Sequence, residues 1–178
     1  MSKLKQRKLI KKRLNKLSIE EKYIYSDIIV QKIYDLILTY NPKIVMSYIA
    51  LENEVNLEKL HSMLKQRKIK LCFPVIQDDA INAYISDNFV KGSFNIMEPE
   101  EGLLIKKEDI DIIIIPCVGF DSNRNRLGHG KGYYDKYLLD YSGEKLSVAF
   151  EIQKLDRIDS TGNDIKMDYI LTEKSMYL

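Results

Sequence analysis

The sequence predicts an α/β fold: a three-layer α/β/α arrangement with a largely parallel open sheet and helices on both faces. Three observations carry this. Short apolar runs alternate with stretches of helical period. The strongest run, Asp111–Ile115, holds four consecutive isoleucines, as suits a central strand covered on both sides. A glycine-rich segment follows that run and precedes a helical pattern, which puts it at the carboxyl end of the sheet, where open α/β folds bind ligands.

Taken in order, residues 3–16 are rich in Lys, Leu, Arg and Gln, good helix formers, with Leu4, Leu9, Ile10 and Leu14 as a thin apolar stripe. Ser18 followed by Glu21 is a capping box, so a second helix starts near Ile19. Its core face is Tyr25, Ile28, Ile29, Ile33, Leu36 and Ile37, and it breaks at Asn41-Pro42. Ile44–Ala50 reads as a buried strand. Asn56 caps a third helix to about Lys68 with Leu57, Leu60 and Leu64 inward, and Lys70–Ile76 is a further strand. Ala80–Ser86 is expected to be an outer strand and Phe89–Glu101 irregular, turn-rich chain. Beyond the central strand come the glycine loop, a helix from Tyr133 to about Asp140, and two short closing strands, Leu146–Phe150 and Tyr169–Thr172.

A chain of 178 residues, 45% hydrophobic and 30% charged, fits one globular domain over 1–178 and excludes a disordered or fibrous protein. The longest uncharged stretch, Ile112–Phe120, is far shorter than the roughly 20 residues a membrane span needs. No signal peptide is expected, because the N-terminus is charged throughout. Cys72 and Cys117 lie in apolar runs and read as buried free thiols of a cytoplasmic protein.

The net charge of +2 conceals an asymmetry. Eight of the 28 basic residues fall in the first sixteen positions, with no acid among them; the rest of the chain has 20 basic against 26 acidic residues. Such an arm suits a nucleic-acid contact, an anion site for a small phosphorylated ligand, or a solvated face.

Three of the eight glycines fall in Gly128-His129-Gly130-Lys131-Gly132. Glycines let the backbone approach a ligand and aim successive N–H groups at one point, the following helix start adds positive charge, and Arg126 and Lys131 flank the loop. A flexible surface turn is the alternative; phosphate is the expected guest. The spacing matches neither a Walker loop nor a dinucleotide fingerprint. Asp135 either complements the helix dipole or holds Mg²⁺ beside a phosphate, and Asp164 and Asp168 are candidates for a second carboxylate. Tyr133 and Tyr134 either pack in the core or flank a flat ring. His61 is expected to face solvent, and neither histidine has a cysteine at metal-ligand spacing, so no zinc site is expected.

Val118-Gly119-Phe120-Asp121 and Asn125-Arg126-Leu127-Gly128-His129-Gly130-Lys131-Gly132-Tyr133-Tyr134-Asp135 resemble the signature of the 5-formyltetrahydrofolate cyclo-ligase (5,10-methenyltetrahydrofolate synthetase) family. The resemblance extends to Lys3 and Arg7, to Glu52-Asn53-Glu54-Val55, to Met97-Glu98-Pro99 and to Asn163-Asp164-Ile165-Lys166-Met167-Asp168. It implies an ATP- and Mg²⁺-dependent ring closure of 5-formyltetrahydrofolate to 5,10-methenyltetrahydrofolate: ATP phosphorylates the formyl oxygen, N10 attacks the activated carbon and phosphate leaves. By position it implies that Lys3 and Arg7 contact ATP phosphates, and that Arg126, Leu127, Gly128, His129, Gly130, Lys131, Gly132, Tyr133 and Tyr134 form the nucleotide loop. His129 to Tyr133 would also lie against the folate, with Ile49 and Glu54. Asp135 and Asp164 would bind the metal; Lys131, Arg126 and Tyr133 would act on the reacting groups.

The residue types agree with this chemistry, since phosphoryl transfer needs charge neutralised and two reactants held in line. Lys3 and Arg7, four apart, share one helix face. His129 can donate a hydrogen bond when neutral and carries charge only when protonated. Small-molecule partners, no nucleic acid or membrane, and a monomer or weak homodimer are expected. A non-catalytic nucleotide- or folate-binding protein is the second reading. A nucleic-acid module using the basic arm is the third, disfavoured by the acidic body.

Overall fold

The computed structural model describes residues 1–92, 97–159, 162 and 164–178. Part of the stretch expected to be irregular (93–96) and Asn163 of the acidic motif lie outside the described residues. The chain opens with helices α1 (Lys3–Leu14) and α2 (Ile19–Tyr40), then strand β1 (Ile44–Met46), helix α3 (Glu58–Gln66), β2 (Lys70–Gln77) and β3 (Ala80–Ile85). There follow β4 (Phe89–Lys91), β5 (Met97–Pro99), β6 (Leu103–Ile105), β7 (Ile112–Pro116), β8 (Gly119–Phe120), β9 (Arg126–Leu127), helix α4 (Tyr133–Tyr137), β10 (Glu144–Val148), β11 (Tyr169–Leu171) and β12 (Met176–Tyr177).

The main sheet has eight strands in the order β12-β11-β10-β7-β1-β2-β3-β6. Its five middle strands, β11 to β2, run parallel, and the flanking pairings are antiparallel. The isoleucine run sits at the centre as expected: Ile112–Ile115 have no exposed surface. Alternation splits them between two cores. Ile112 and Ile114 face α1, α2 and α3; Ile113 and Ile115 face Leu138 and the tyrosines of α4. Helices therefore cover both faces, three on one and a single short helix on the other.

The capping box at Ser18 forms as expected, and Asn41 ends α2 in a left-handed conformation. Asn56 Oδ1 accepts from the Glu58 amide at the start of α3. On α1 the inward face is Gln6, Ile10 and Leu14, while Leu4 is 61% exposed. Gln6 takes the inner position because its amide donates to the Arg157 carbonyl at 2.8 Å.

Several elements depart from expectation. β1 stops at Met46, where the chain turns into a loop held by the Tyr48 hydroxyl donating to the Val55 carbonyl. β3 is not the outer strand, because β6 pairs beyond it. Inside the stretch expected to be irregular, β4 and β5 pair as an antiparallel ribbon. β8 and β9 form a second ribbon, and β12 closes the far edge outside β11. α4 ends at Tyr137 rather than near Asp140. Each missed strand is two or three residues long, too short to show a period of two.

His61 is a further correction. Rather than facing solvent, it packs edge-on against Phe73 with ring centroids 5.2 Å apart, and Nε2 lies 2.8 Å from the Ser47 hydroxyl. Burial, then the charge of Lys65, pushes its imidazole down to about 4. The unfolded chain protonates first, near pH 6.5, so this group's contribution is intact above that pH and is lost as pH falls toward 4. Denaturant titrations should show wild type losing about 2 kcal/mol more than His61→Gln between pH 7 and 4.5. Equal losses would place the imidazole in solvent. Cys72 and Cys117 are buried free thiols, raised by burial to about 12 and 11 respectively.

Candidate active site

A cavity of about 470 Å³ opens at the carboxyl ends of β1, β2 and β7. Every residue given a site role by the family resemblance lines it: Lys3, Arg7, Ile49, Glu54, Asp164 and the unbroken run from Arg126 to Asp135. Asp168 does not. Its carboxylate accepts from the Lys145 amide at 2.8 Å and pairs with Lys145 Nζ at 2.7 Å, joining β11 to β10.

The loop is held from below by Asp121, which has no exposed surface. It accepts from the amides of Asn123, Asn125 and Ile158 and from the Asn125 side chain, at 2.9–3.2 Å. Four donors onto one carboxylate keep a buried charge satisfied and fix the turn between β8 and β9. Within the loop, Gly130 and Gly132 have φ of 108° and 72°, where side chains strain the backbone. A Cβ on Gly130 would also come within 3.2 Å of the Arg7 guanidinium.

The charged groups arrive from three directions. From α1, Arg7 Nε donates to the Gly128 carbonyl at 2.8 Å, and Lys3 Nζ contacts both Asp164 oxygens at 2.6 and 2.8 Å. From beneath, Arg126 is almost wholly buried. It donates to the Pro116 carbonyl at 3.3 Å, pairs with Asp135 Oδ1 at 3.2 Å, and lies 5.7 Å from the centre of the Tyr134 ring. Its Nε is buried without a hydrogen-bond partner among the described residues. Arg126 thus aims Asp135 rather than reaching openly into the cavity. α4 is little more than one turn, so the positive character of this end rests on side-chain cations and loop amides, not on a helix macrodipole as the sequence suggested.

On the other side, Glu54 is mostly buried. Its Oε2 accepts from the Leu51 amide at 2.9 Å, and Oε1 lies 3.0 Å from Nε2 of the half-exposed His129. Burial, then the Glu54 charge, raises the Tyr134 phenol, so it stays protonated. Opposite the loop stands an apolar wall that sequence reasoning missed: Phe73, Pro74, Ile76 and Ile81 of the β2–β3 hairpin, with Met97 and Glu98 of β5. Only the Met97-Glu98-Pro99 motif gave a signal for this wall. The hairpin side chains read simply as strand core.

The cavity therefore combines two chemistries. Lys3, Arg7, Asp135 and Asp164 suit a polyphosphate and a hard cation; the apolar hairpin residues and the fixed Glu54 carboxylate suit a flat heterocycle with N–H donors. Asp135 and Asp164 offer hard oxygen donors close together, since the Ile165 amide donates to Asp135 Oδ1 at 3.4 Å. Among the described residues there is no cluster of three or more metal-ligating side chains. Two carboxylates fit Mg²⁺, which commonly completes its octahedron with water and phosphate oxygens.

The basic arm has specific partners. Besides Lys3 and Arg7, Arg13 donates to the Ile152 and Lys154 carbonyls, while Lys5, Lys8, Lys11, Lys12 and Lys16 are exposed.

The model of the 5-formyltetrahydrofolate cyclo-ligase family matches residues 1–173. A 5-formyltetrahydrofolate cyclo-ligase of Mus musculus is 31% identical over 184 residues, spanning 93% of this chain and 91% of that protein. The NMR structure of Aquifex aeolicus 5,10-methenyltetrahydrofolate synthetase superposes with a TM-score of 0.86 at 35% identity, covering 99% of this chain and 92% of that one. A 5,10-methenyltetrahydrofolate synthetase from Mycoplasma pneumoniae gives 0.81 at 28% identity, with 97% and 99% covered.

Proposed function

The chain belongs to the 5-formyltetrahydrofolate cyclo-ligase family, and from that premise we propose how its cavity divides the work of the reaction. The protein is a 5-formyltetrahydrofolate cyclo-ligase, an ATP-dependent enzyme of folate metabolism that forms 5,10-methenyltetrahydrofolate.

In this reading ATP lies along α1 and the loop, its phosphates gripped by Lys3, Arg7, Lys131 and the amides of Gly128 to Gly132. The reduced pterin lies against Phe73, Ile76 and Ile81, with Ile49 beside it and its amino-pyrimidinone edge on Glu54. The formyl oxygen attacks the terminal phosphorus and releases ADP. N10 then attacks the activated formyl carbon, and loss of phosphate with the N10 proton leaves the methenyl bridge. Lys131 faces the transferring phosphoryl group, Tyr133 lies against the reactants, and Arg126 holds Asp135 in place. Asp135 and Asp164 would hold Mg²⁺, which supplies charge neutralisation at the phosphates. Lys3 and Asp164, which pair with each other at 2.6 Å, would exchange that contact for phosphate and metal when nucleotide binds.

One observation carries the reading: a single cavity is lined by the cations and carboxylates of α1, the glycine loop and Asp164 together with the apolar residues of the hairpin and Glu54. We take the enzyme to act as a monomer or weak homodimer. We place the enzyme in the cytoplasm, a reading the two buried free thiols support.

The test is incubation with 5-formyltetrahydrofolate, ATP and Mg²⁺ while following methenyl absorbance. Turnover is expected, and Lys131→Ala should raise the KM for ATP about tenfold while changing the folate KM little. ATP binding without turnover would indicate a non-catalytic binder. The opposite pattern in Lys131→Ala would mean the loop faces the folate instead.

A further inference from the structure

The tip of the β2–β3 hairpin is a two-residue turn, since Gln77 pairs with Ala80 and leaves Asp78 and Asp79 as the loop. Both have positive φ, 50° and 57°, the geometry of a type I′ turn. That turn favours Asn-Gly, because a side chain at the second position strains the left-handed backbone. Aspartate suits the first position, but glycine is preferred at the second, so Asp79 is the residue the turn alone does not explain. The Asp79 carboxylate finds its partner 54 positions away: Tyr133 Oη donates to Asp79 Oδ1 at 3.3 Å.

The two partners belong to different elements of the cavity lining, the β2–β3 hairpin and the loop that starts α4. The hairpin contributes Phe73, Pro74, Ile76 and Ile81; Tyr133 belongs to the glycine loop and starts α4. The bond ties one element to the other. With its hydroxyl so engaged, Tyr133 offers a ligand the face of its ring rather than a proton.

We propose that Asp79 is a positioning residue of the cyclo-ligase reaction: it sets the Tyr133 ring, and with it the spacing between the hairpin and the glycine loop, for the reduced pterin. This rests on the assignment of the pterin to the apolar wall.

The experiment is steady-state kinetics of the full chain with 5-formyltetrahydrofolate and ATP, alongside thermal melting. Asp79→Ala should raise the folate KM about three- to tenfold with kcat nearly constant, and Asp79→Asn, which keeps an acceptor, should recover most of that loss. Tyr133→Phe should match Asp79→Ala, and the double variant should be no worse than either single one, because all three remove the same bond. Asp78→Asn/Asp79→Gly separates fold from function: it should melt higher than wild type yet show the Asp79→Ala kinetics. An unchanged folate KM in Asp79→Ala or in the turn variant, or additive losses in the double variant, overturns the proposal. A wild-type chain without turnover would strike the functional assignment itself; active variants that instead raised the KM for ATP alone would show the pterin misplaced.

Discussion

An Asp135→Asn variant is expected to lose about 10²- to 10³-fold in Mg²⁺-dependent turnover, because neutralising phosphoryl charge at a metal is worth several kcal/mol. By itself a carboxylate at a helix start stabilises a fold by less than about 1 kcal/mol. Here, however, Asp135 also partners Arg126, whose side chain is 4% exposed. Removing the partner of a buried cation is costly. Asparagine keeps an acceptor at the same place, so about 1–2 kcal/mol should be lost, a Tm drop of roughly 3–6 °C in a chain this size. Asp135→Ala, without an acceptor, should lose about 3 kcal/mol or more. Both variants should therefore be inactive, and only alanine badly unstable. Activity at wild-type Mg²⁺ dependence in Asp135→Asn would remove Asp135 from the metal site.

The second large effect is expected at α1. Lys3→Ala combined with Arg7→Ala should raise the KM for ATP about 100-fold, roughly tenfold for each charged contact, with folate affinity little changed. Point variants are essential. Ile10 and Leu14 of the same helix are buried in the main core, so deleting residues 1–16 would damage the fold and say nothing about ATP. Circular dichroism should confirm that the double variant stays folded. A KM for ATP within threefold of wild type would mean that α1 serves packing alone.

What was legible from the residues follows a physical pattern. The isoleucine run at 112–115, the capping box at Ser18 and the inward face of Leu57, Leu60 and Leu64 each rest on a local pattern, an unbroken apolar run, a cap at fixed spacing or a helical period, and all appear where expected. The charged half of the site was legible because its glycines and cations are contiguous or four apart. The apolar half was not. Phe73, Ile76 and Ile81 are spelled like any strand core, and only the hairpin's position beside the loop turns them into a binding wall. His61, expected in solvent, and Gln6, which no pattern singled out, share a related reason: each is polar, yet each has a specific partner inside the fold, Ser47 and Arg157 respectively. Residue type reports average preference, whereas burial is decided by the partner that tertiary structure supplies.

The contact between Lys3 and Asp164 also bears on how the protein comes into being. It closes a loop of 161 positions, and α1 packs beside β8 and the turn at Glu151–Gln153. α1 therefore waits, undocked, for partners translated well over a hundred residues after it. The hydrophobic layers can assemble progressively during synthesis, but the Lys3–Asp164 side of the pocket is completed only once Asp164 has emerged, so a nascent chain gains much of its shape before its capacity to consume ATP.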